Sequence, residues 1–160
     1  MFTITIIAVG KLKEPFYQAA VNEYAKRLQT YCRFQLIELP EQRLPENPNP
    51  SEIEAALQKE AEAVRGRLPK GAWLCVLTPE GEQRSSEQLA AMLRDLKLQG
   101  RSSVCFLLGS SFGMDASLKR QADFRLSMSK MTFPHHLARV MLAEQLYRAE
   151  SIQAGSRYHK

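Results

Sequence analysis

The stretch LSMSKMTFPHH, residues 126 to 136, joins the last predicted strand of the chain to its last predicted helix. The strand is the run FRLSMS, residues 124 to 129, and a short turn of mixed polar and apolar residues follows it. Pro134 begins the helix, a position where the missing proline N–H leaves no donor unsatisfied. We therefore expect the sheet and the final helix to meet at this turn.

Upstream of this stretch, strands and helices alternate. Apolar or β-branched runs predict strands at FTITIIAVG (2–10), FQLIELP (34–40), AWLCVLT (72–78) and SVCFLLG (103–109), with FRLSMS as the fifth. The alternation predicts an α/β fold with a parallel sheet covered by helices on both faces. Ligands of such folds bind outside the carboxyl ends of the strands. The loops LTPEG, LGSSFGMD and SMSKMTF follow three of these ends and are the candidate ligand loops.

Several helix boundaries carry their own signals. Ser51 and Glu54 form an S-x-x-E capping box, which predicts that the second helix begins there. Gly100 is a predicted C-cap of the third helix, and Asp115 is a predicted N-cap of a short helix that runs through Ala122.

Length and composition indicate a single globular domain, residues 1–160. Hydrophobic residues make up 44% of the chain and charged residues 24%, as in ordinary globular proteins. No apolar run approaches the roughly 18 residues needed to cross a bilayer, so no membrane partner is expected. The N-terminus lacks the features of a signal peptide. Three widely spaced cysteines without a CxxC pair argue against a disulfide framework and a zinc site, which predicts a cytoplasmic protein.

The net charge of +5 is concentrated near the C-terminus. Residues 119–160 contain eight basic and three acidic residues, whereas residues 1–118 contain 14 of each sign. A basic region attracts phosphate, so nucleic acid is one plausible partner. A solvated basic face without a partner is an equally good interpretation of the charge alone.

The final helix, roughly Pro134 to Gln153, is apolar on nearly every side. At 100° per residue its apolar side chains point in three directions, represented by Leu137 with Met141, Val140 with Tyr147, and Leu142 with Leu146. Such a helix must be covered on more than one side. We predict a homodimer through this helix, with Glu144 and Arg148 paired at the interface.

Few local motifs indicate chemistry by themselves. LGSSFGMD matches neither the dinucleotide-binding nor the P-loop pattern, and we interpret it as a turn whose backbone lies against a ligand. His135 and His136 are adjacent and point about 100° apart on a helix, so they cannot chelate one metal ion. The tail AGSRYHK combines cations, an aromatic ring and an imidazole, groups suited to holding a nucleotide, although a disordered terminus is also consistent with it.

The C-terminal run LSMSKMTFPHHLARVMLAEQLYRAESIQAGSRYHK closely resembles the signature of the RlmH family. These proteins are pseudouridine N3-methyltransferases of the large ribosomal subunit, in the SPOUT class. ITIIAVGKLKEPFYQAAVNEYAKRL, FQLIELP and the total length also match, so the resemblance covers essentially the whole chain. It implies a deep C-terminal trefoil knot, a homodimer, S-adenosylmethionine as methyl donor without a metal, and a pseudouridine of 23S rRNA as substrate.

The resemblance also implies a cofactor site. Carrying the family's positions over gives Leu77, Gly109, Met128, Ser129, Lys130, Met131, Thr132 and Phe133. The donor has an adenine ring and a sulfonium cation but no phosphate, so it needs an apolar slot and backbone groups that read the ring edge. Ser110 stands where the family commonly has a second glycine, and its side chain is expected to narrow the approach to the cofactor. Near Glu150 the family usually has an apolar or aromatic residue.

The tail and the final helix supply the predicted catalytic groups. We hypothesise that His159, or a nearby water, removes the pseudouridine proton while Arg148 offsets the developing anion. Tyr158 would stack on the base. The predicted RNA contacts are Arg139, Arg157 and Lys160. Two arrangements are open: the tail completes the site of its own subunit or, because it lies beside the predicted dimer helix, that of the other subunit.

Three alternatives remain open at this point. A SPOUT methyltransferase acting on tRNA or on a ribose hydroxyl would share the fold and cofactor. A non-catalytic RNA-binding ribosome factor would bind no methyl donor. A flavodoxin-like nucleotide binder fits the strand alternation but explains neither the basic C-terminal quarter nor the tail.

Overall fold

The computed structural model describes all 160 residues and contains five strands and five helices. In chain order they are β1 (Thr3–Val9), α1 (Pro15–Leu28), β2 (Arg33–Leu39), α2 (Pro50–Arg65), β3 (Trp73–Gln83), α3 (Ser86–Leu98), β4 (Ser103–Leu108), α4 (Ala116–Gln121), β5 (Phe124–Ser127) and α5 (His135–Gln153).

All five strands form one parallel sheet in the order β2-β1-β4-β3-β5. Successive side chains of a strand point to opposite faces, so each strand contributes to two separate apolar layers. Ile4 and Ile6 belong to a layer shared with α1, α3 and α5. Ile7 and Val9 belong to a layer shared with α2 and α4. The predicted parallel α/β fold with helices on both faces is therefore confirmed.

Helix α2 begins earlier than the sequence predicted. Its N-cap is Asn49, whose side chain accepts a hydrogen bond from the Glu52 backbone N–H while the Glu52 side chain caps Asn49 in return. Pro50 occupies the first helical position. The prediction of a start at Ser51 with Glu54 was wrong because this second capping box lies two residues upstream, beside a proline that favours helix initiation. The Asp115 cap of α4 is confirmed.

Strand β3 is longer than predicted because it pairs with β5 in two places. Leu77 lies opposite Leu126, and after a register shift Glu82 lies opposite the same residue. Gly81 lies within this shift, and a Cβ atom there would stand 2.7 Å from backbone atoms of Arg125 and Leu126. Only glycine allows the two backbones to approach this closely.

Helix α5 packs on the sheet between contacts with α1 and α3. Leu142 and Leu146 are fully buried in that layer. Glu150 is also buried and accepts two hydrogen bonds from the Lys97 ammonium of α3, at 2.8 and 2.9 Å. The helix therefore joins the core by both apolar packing and a buried ion pair, while Leu137 and Met141 remain half-exposed on its surface.

The three cysteines are reduced and buried in the core. Burial raises the pKa of the Cys32 and Cys105 thiols to about 12, and it also raises the pKa of Cys75. These thiols are accordingly protonated and shielded from solvent. None of the helices has the length and apolar character required to span a membrane.

Candidate functional site

A cavity of about 680 Å³ opens at the carboxyl ends of β3, β4 and β5. Its walls come mainly from residues 77–80 within β3, residues 108–114 at the end of β4 and residues 127–135 at the end of β5. These stretches overlap the three candidate ligand loops selected from the sequence, although the first of them is part of a strand. All eight predicted cofactor residues line it: Leu77, Gly109, Met128, Ser129, Lys130, Met131, Thr132 and Phe133. The sequence therefore located the residues that the fold brings together here.

The wall formed by residues 128–133 presents free peptide groups. These residues lie between β5 and α5, and none of their backbone groups bonds to another backbone group. The side-chain bonds within the turn are local, from Ser127 Oγ to the Ser129 carbonyl and from the Met131 N–H to Ser129 Oγ. Backbone N–H and C=O groups that have no partner within the protein can donate to and accept from the polar edge of a ligand.

The opposite wall is a tight turn built around Gly109. Ser110 and Gly113 exchange two backbone hydrogen bonds, at 2.9 and 3.0 Å. A Cβ atom on Gly109 would lie 2.2 Å from the Gly113 carbonyl oxygen, closer than any real contact. The turn therefore requires glycine at position 109 for close backbone approach.

Ser110 does not narrow the cavity as expected from the sequence. Its hydroxyl donates a 2.8 Å hydrogen bond to Glu60 Oε1 of α2, and Glu60 lies outside the cavity lining. The other carboxylate oxygen of Glu60 accepts the Gln42 backbone N–H at 2.8 Å. The hydroxyl is therefore held on the α2 side of the turn.

Several lining residues were missed by sequence reasoning. Lys119 of α4 donates a 2.7 Å hydrogen bond to Glu80, and the Thr78 hydroxyl also donates to this carboxylate. These two donors lower the pKa of Glu80 to about 2. No local pattern identifies this group, since Glu80 and Lys119 are far apart in the chain.

His135 also lines the cavity, at the first turn of α5. Its Nε2 atom is buried without a hydrogen-bond partner. Burial, followed by the neighbouring His136, lowers the pKa of His135, which favours a neutral ring. Sequence analysis argued against metal chelation by this residue and its neighbour but did not place it in the cavity.

The C-terminal tail is packed against α5 and the start of α3. Arg148 donates to Glu144 at 2.6 Å, and the Tyr158 hydroxyl donates to the same carboxylate at 3.0 Å. His159 Nδ1 lies 3.1 Å from Arg148 and its Nε2 lies 2.7 Å from Glu87. Because Arg148 can only donate, these contacts favour the neutral tautomer with the proton on Nε2.

The three predicted catalytic residues, Arg148, Tyr158 and His159, therefore lie together. Burial and the bond to Glu144 raise the pKa of Tyr158 to about 12, so its hydroxyl stays protonated near neutral pH. None of the three lines the cavity, so the catalytic cluster and the cofactor residues remain separate within one chain. Of the predicted RNA contacts, Arg157 and Lys160 are exposed beside this cluster.

Arg139 has a structural position instead of the predicted RNA contact. Only 1% of its surface is exposed. Its guanidinium donates at 2.8 Å to Glu38 and at 2.8 Å to the Gly10 carbonyl, joining α5 to the ends of β1 and β2. A cation enclosed in this way is not available to phosphate. No group of three or more His, Cys, Asp or Glu side chains is placed to hold a metal ion.

Comparison with known proteins matches this chain to one family along nearly its whole length. Residues 2–159 match the family model described as predicted SPOUT methyltransferase. The Ribosomal RNA large subunit methyltransferase H of Acetivibrio thermocellus is 46% identical over 98% of this chain and 99% of its own. The protein of the same name from Moorella thermoacetica is 41% identical over the full length of both chains.

Two solved structures share the fold at low identity. A probable methyltransferase from Bordetella pertussis Tohama I superposes with a TM-score of 0.56 at 15% identity, covering 92% of this chain and 93% of that one. A probable methylase family protein from Haemophilus influenzae Rd KW20 gives 0.52 at 12% identity, covering 99% and 70%.

Proposed function

The chain belongs to the SPOUT methyltransferase family, and from this premise we propose that it methylates N3 of a pseudouridine in 23S rRNA, using S-adenosylmethionine. The proposal rests chiefly on the full-length similarity to proteins named Ribosomal RNA large subunit methyltransferase H. Work on ribosomal RNA also fits the basic C-terminal quarter of the chain and would place the protein in the cytoplasm.

The cavity has the chemistry that S-adenosylmethionine requires. Leu77, Met131 and Phe133 offer apolar surface for the adenine ring, and the free peptide groups of residues 128–133 can bind its polar edge. Pockets for ligands of this size commonly enclose roughly 300–1,000 Å³. When bound, the donor supplies an electrophilic methyl group. The chain's own residues must hold it and bring the RNA base into line.

The tail would handle the substrate proton. The N3 nitrogen lies between two carbonyl groups and becomes nucleophilic only when its proton is removed or shared. His159 is the titratable group of the tail, but Arg148 occupies its Nδ1 and Glu87 its Nε2. Substrate binding must therefore release one contact before His159 can accept the proton. Arg148 would offset the anion, Tyr158 would contact the base, and the exposed Arg157 and Lys160 would bind phosphate.

A homodimer would bring the two halves of this site together. Within one chain the tail cluster and the cavity are separate, whereas α5 carries half-exposed apolar side chains such as Leu137 and Met141 next to both. Helix α5 lines the cavity with His135 and Ala138 at its start and carries Arg148 of the tail cluster further along. Packing two copies through α5 would therefore cover its half-exposed apolar side chains and could place one tail beside the partner's cavity.

We also propose that residues 1–160 form one catalytic domain whose C-terminal end is knotted. The resemblance to the RlmH family implies this trefoil knot. The close passage of Gly81 against Arg125 and the irregular turn at 128–133 support it, because such a fold packs its backbone segments closely.

Transfer of a radiolabelled methyl group tests the proposal directly. Purified protein, methyl-tritiated S-adenosylmethionine and 23S rRNA carrying the pseudouridine should give labelled N3-methylpseudouridine after nucleoside mapping, and rRNA with uridine at that position should give none. Label in tRNA or on a ribose hydroxyl would replace the proposal with a different SPOUT activity. No binding of the donor by calorimetry would instead indicate a non-catalytic RNA-binding factor.

A further inference from the structure

Glu60 is a buried carboxylate without a cation. It is 5% exposed, and no Lys, Arg or His forms an ion pair with it. Its two hydrogen bonds come from neutral donors, the Ser110 hydroxyl and the Gln42 N–H. Buried charges in proteins are normally paired, because hydrogen bonds alone offset only part of the cost of desolvation.

This carboxylate lies directly behind the wall of the cavity. Ser110 lines the cavity, and its hydroxyl is 2.8 Å from Glu60 Oε1. The other carboxylate of the cavity is already balanced, because Glu80 pairs with Lys119 at 2.7 Å. Glu60 is therefore the buried carboxylate beside the cavity that has no cation as its partner.

We infer that Glu60 is the counter-charge for the sulfonium of the methyl donor, and that it makes the cavity select the cationic donor over its neutral product. This inference rests on the proposed function. S-adenosylmethionine carries a positive sulfur, whereas S-adenosylhomocysteine has a neutral thioether and is otherwise almost the same shape. A negative charge behind the wall therefore distinguishes the two ligands by charge and leaves their shared contacts unchanged.

The interaction acts through protein rather than by contact, so its size is moderate. At an effective dielectric constant of about 20, a tenfold change in affinity corresponds to two charges roughly 12 Å apart, and a longer separation gives a smaller change. Salt screens such a buried interaction less than a surface pair. The charged neighbour facing Glu60 is Glu41, on the loop that follows β2, and its carboxylate adds to the negative potential. Burial first, and the Glu41 charge after it, raise the pKa of the Glu60 carboxyl, and a ligand cation nearby would act in the opposite direction.

Calorimetry on Glu60→Gln separates the effect of the Glu60 charge on ligand affinity from the effect of its packing. The amide has the same shape, can accept the Gln42 N–H and can donate to Ser110, so both hydrogen bonds have replacements. We expect S-adenosylmethionine to bind about threefold to tenfold more weakly, with S-adenosylhomocysteine changed by less than about twofold. Glu62→Gln makes the same change at an exposed position of α2 and should affect neither ligand.

A second measurement uses the unmodified protein. Because coupling is reciprocal, a ligand that prefers ionised Glu60 must lower the pKa of that carboxyl. Carbon-13 NMR titration of the Glu60 carboxyl should show a pKa lower by about 0.5–1 unit with S-adenosylmethionine than with S-adenosylhomocysteine. The measurement remains decisive even if Glu60→Gln fails to fold.

Equal losses of both ligands in Glu60→Gln would overturn the inference and leave Glu60 as a support of the turn. Unchanged affinities, or the same Glu60 pKa with either ligand, would also overturn it. Failure of the proposed cofactor looks different, because unmodified protein would then bind neither ligand, whereas a different RNA substrate would leave both affinities unchanged. If neither ligand binds, the countercharge role is rejected together with the cofactor.

Discussion

Gly109 controls the geometry of one cavity wall. Gly109→Ala places a Cβ atom 2.2 Å from the Gly113 carbonyl oxygen, so the turn must open. We expect S-adenosylmethionine to bind at least about tenfold more weakly, because the wall moves relative to the free peptide groups on the other side. Titration calorimetry measures the loss, and circular dichroism should show that the sheet is retained.

Gly66→Ala is the matched control for this substitution. Gly66 has a helical φ of −67°, and a Cβ atom there would meet its nearest neighbour at an ordinary 3.5 Å. Binding by this variant should equal that of the unmodified protein. Equal binding by Gly109→Ala would show that the turn does not form part of the donor site.

At the scale of single residues, the sequence predicted the loops that line the cavity but not all of the buried contacts behind them. The motif around residues 128–133 is local, so both its irregular backbone and its place in the cavity could be predicted. Arg139 and Glu60 depend on partners distant in sequence, Glu38 and Ser110. From the sequence alone, a charged residue on a helix is expected to be exposed, because its buried partners are not known. Arg139 was therefore assigned to RNA.

The attachment of α5 to α3 depends on the Lys97–Glu150 pair. Glu150→Ala leaves the half-buried Lys97 ammonium with only its contacts to Gln153 and to the face of the Phe2 ring. We expect the free energy of unfolding to fall by about 2–4 kcal/mol, since removing one partner of a buried pair leaves the other uncompensated. Urea denaturation measures this loss.

A double variant tests the reason for that loss. Replacing both partners, Lys97→Met with Glu150→Leu, removes the unpaired charge and should recover more than half of the lost stability. The exposed Glu54→Ala on α2 should be nearly neutral. If the double variant is less stable than Glu150→Ala, the pair itself, rather than the stranded ammonium, supplies the stability.

At the scale of elements, local signals were reliable and non-local pairing was not. The five strands, the long final helix and the Asp115 cap follow from periodicity and capping chemistry. The start of α2 was misplaced because two capping boxes overlap there. LTPEG was taken as a loop, yet β3 continues through it, because the strand pairs with the distant strand β5 on both sides of this irregular stretch, at residues 75–77 and 82–83.

For the whole molecule, subunit mixing tests whether the site is shared. One variant lacks residues 157–160 and keeps its cavity, and the other is Gly109→Ala with its tail intact. At a donor concentration well below the weakened Kd of the Gly109→Ala cavity, each homodimer should be nearly inactive, while co-expressed heterodimers regain one composite site. Statistical pairing then predicts about a quarter of normal methyl transfer to 23S rRNA.

Two further results complete the mixing experiment. Each variant should sediment as a dimer by analytical ultracentrifugation, as expected if α5 rather than the tail forms the interface. A tail that acts on its own cavity would give no recovery on mixing, because neither chain then has a complete site. The sequence does not predict whether mixing restores methyl transfer. The apolar periodicity of α5 shows that this helix needs a covering surface, but it does not show where the partner's tail lies.

The concealed thiols make this protein convenient for site-specific labelling. Cys32, Cys75 and Cys105 are protonated and enclosed, so a maleimide dye has no native target while the fold is intact. A single cysteine placed at an exposed site just before the tail, such as Ala154, would carry the dye alone. The movement of the tail that accompanies the proposed release of a His159 contact then becomes an optical signal, recorded turnover by turnover without altering the interior.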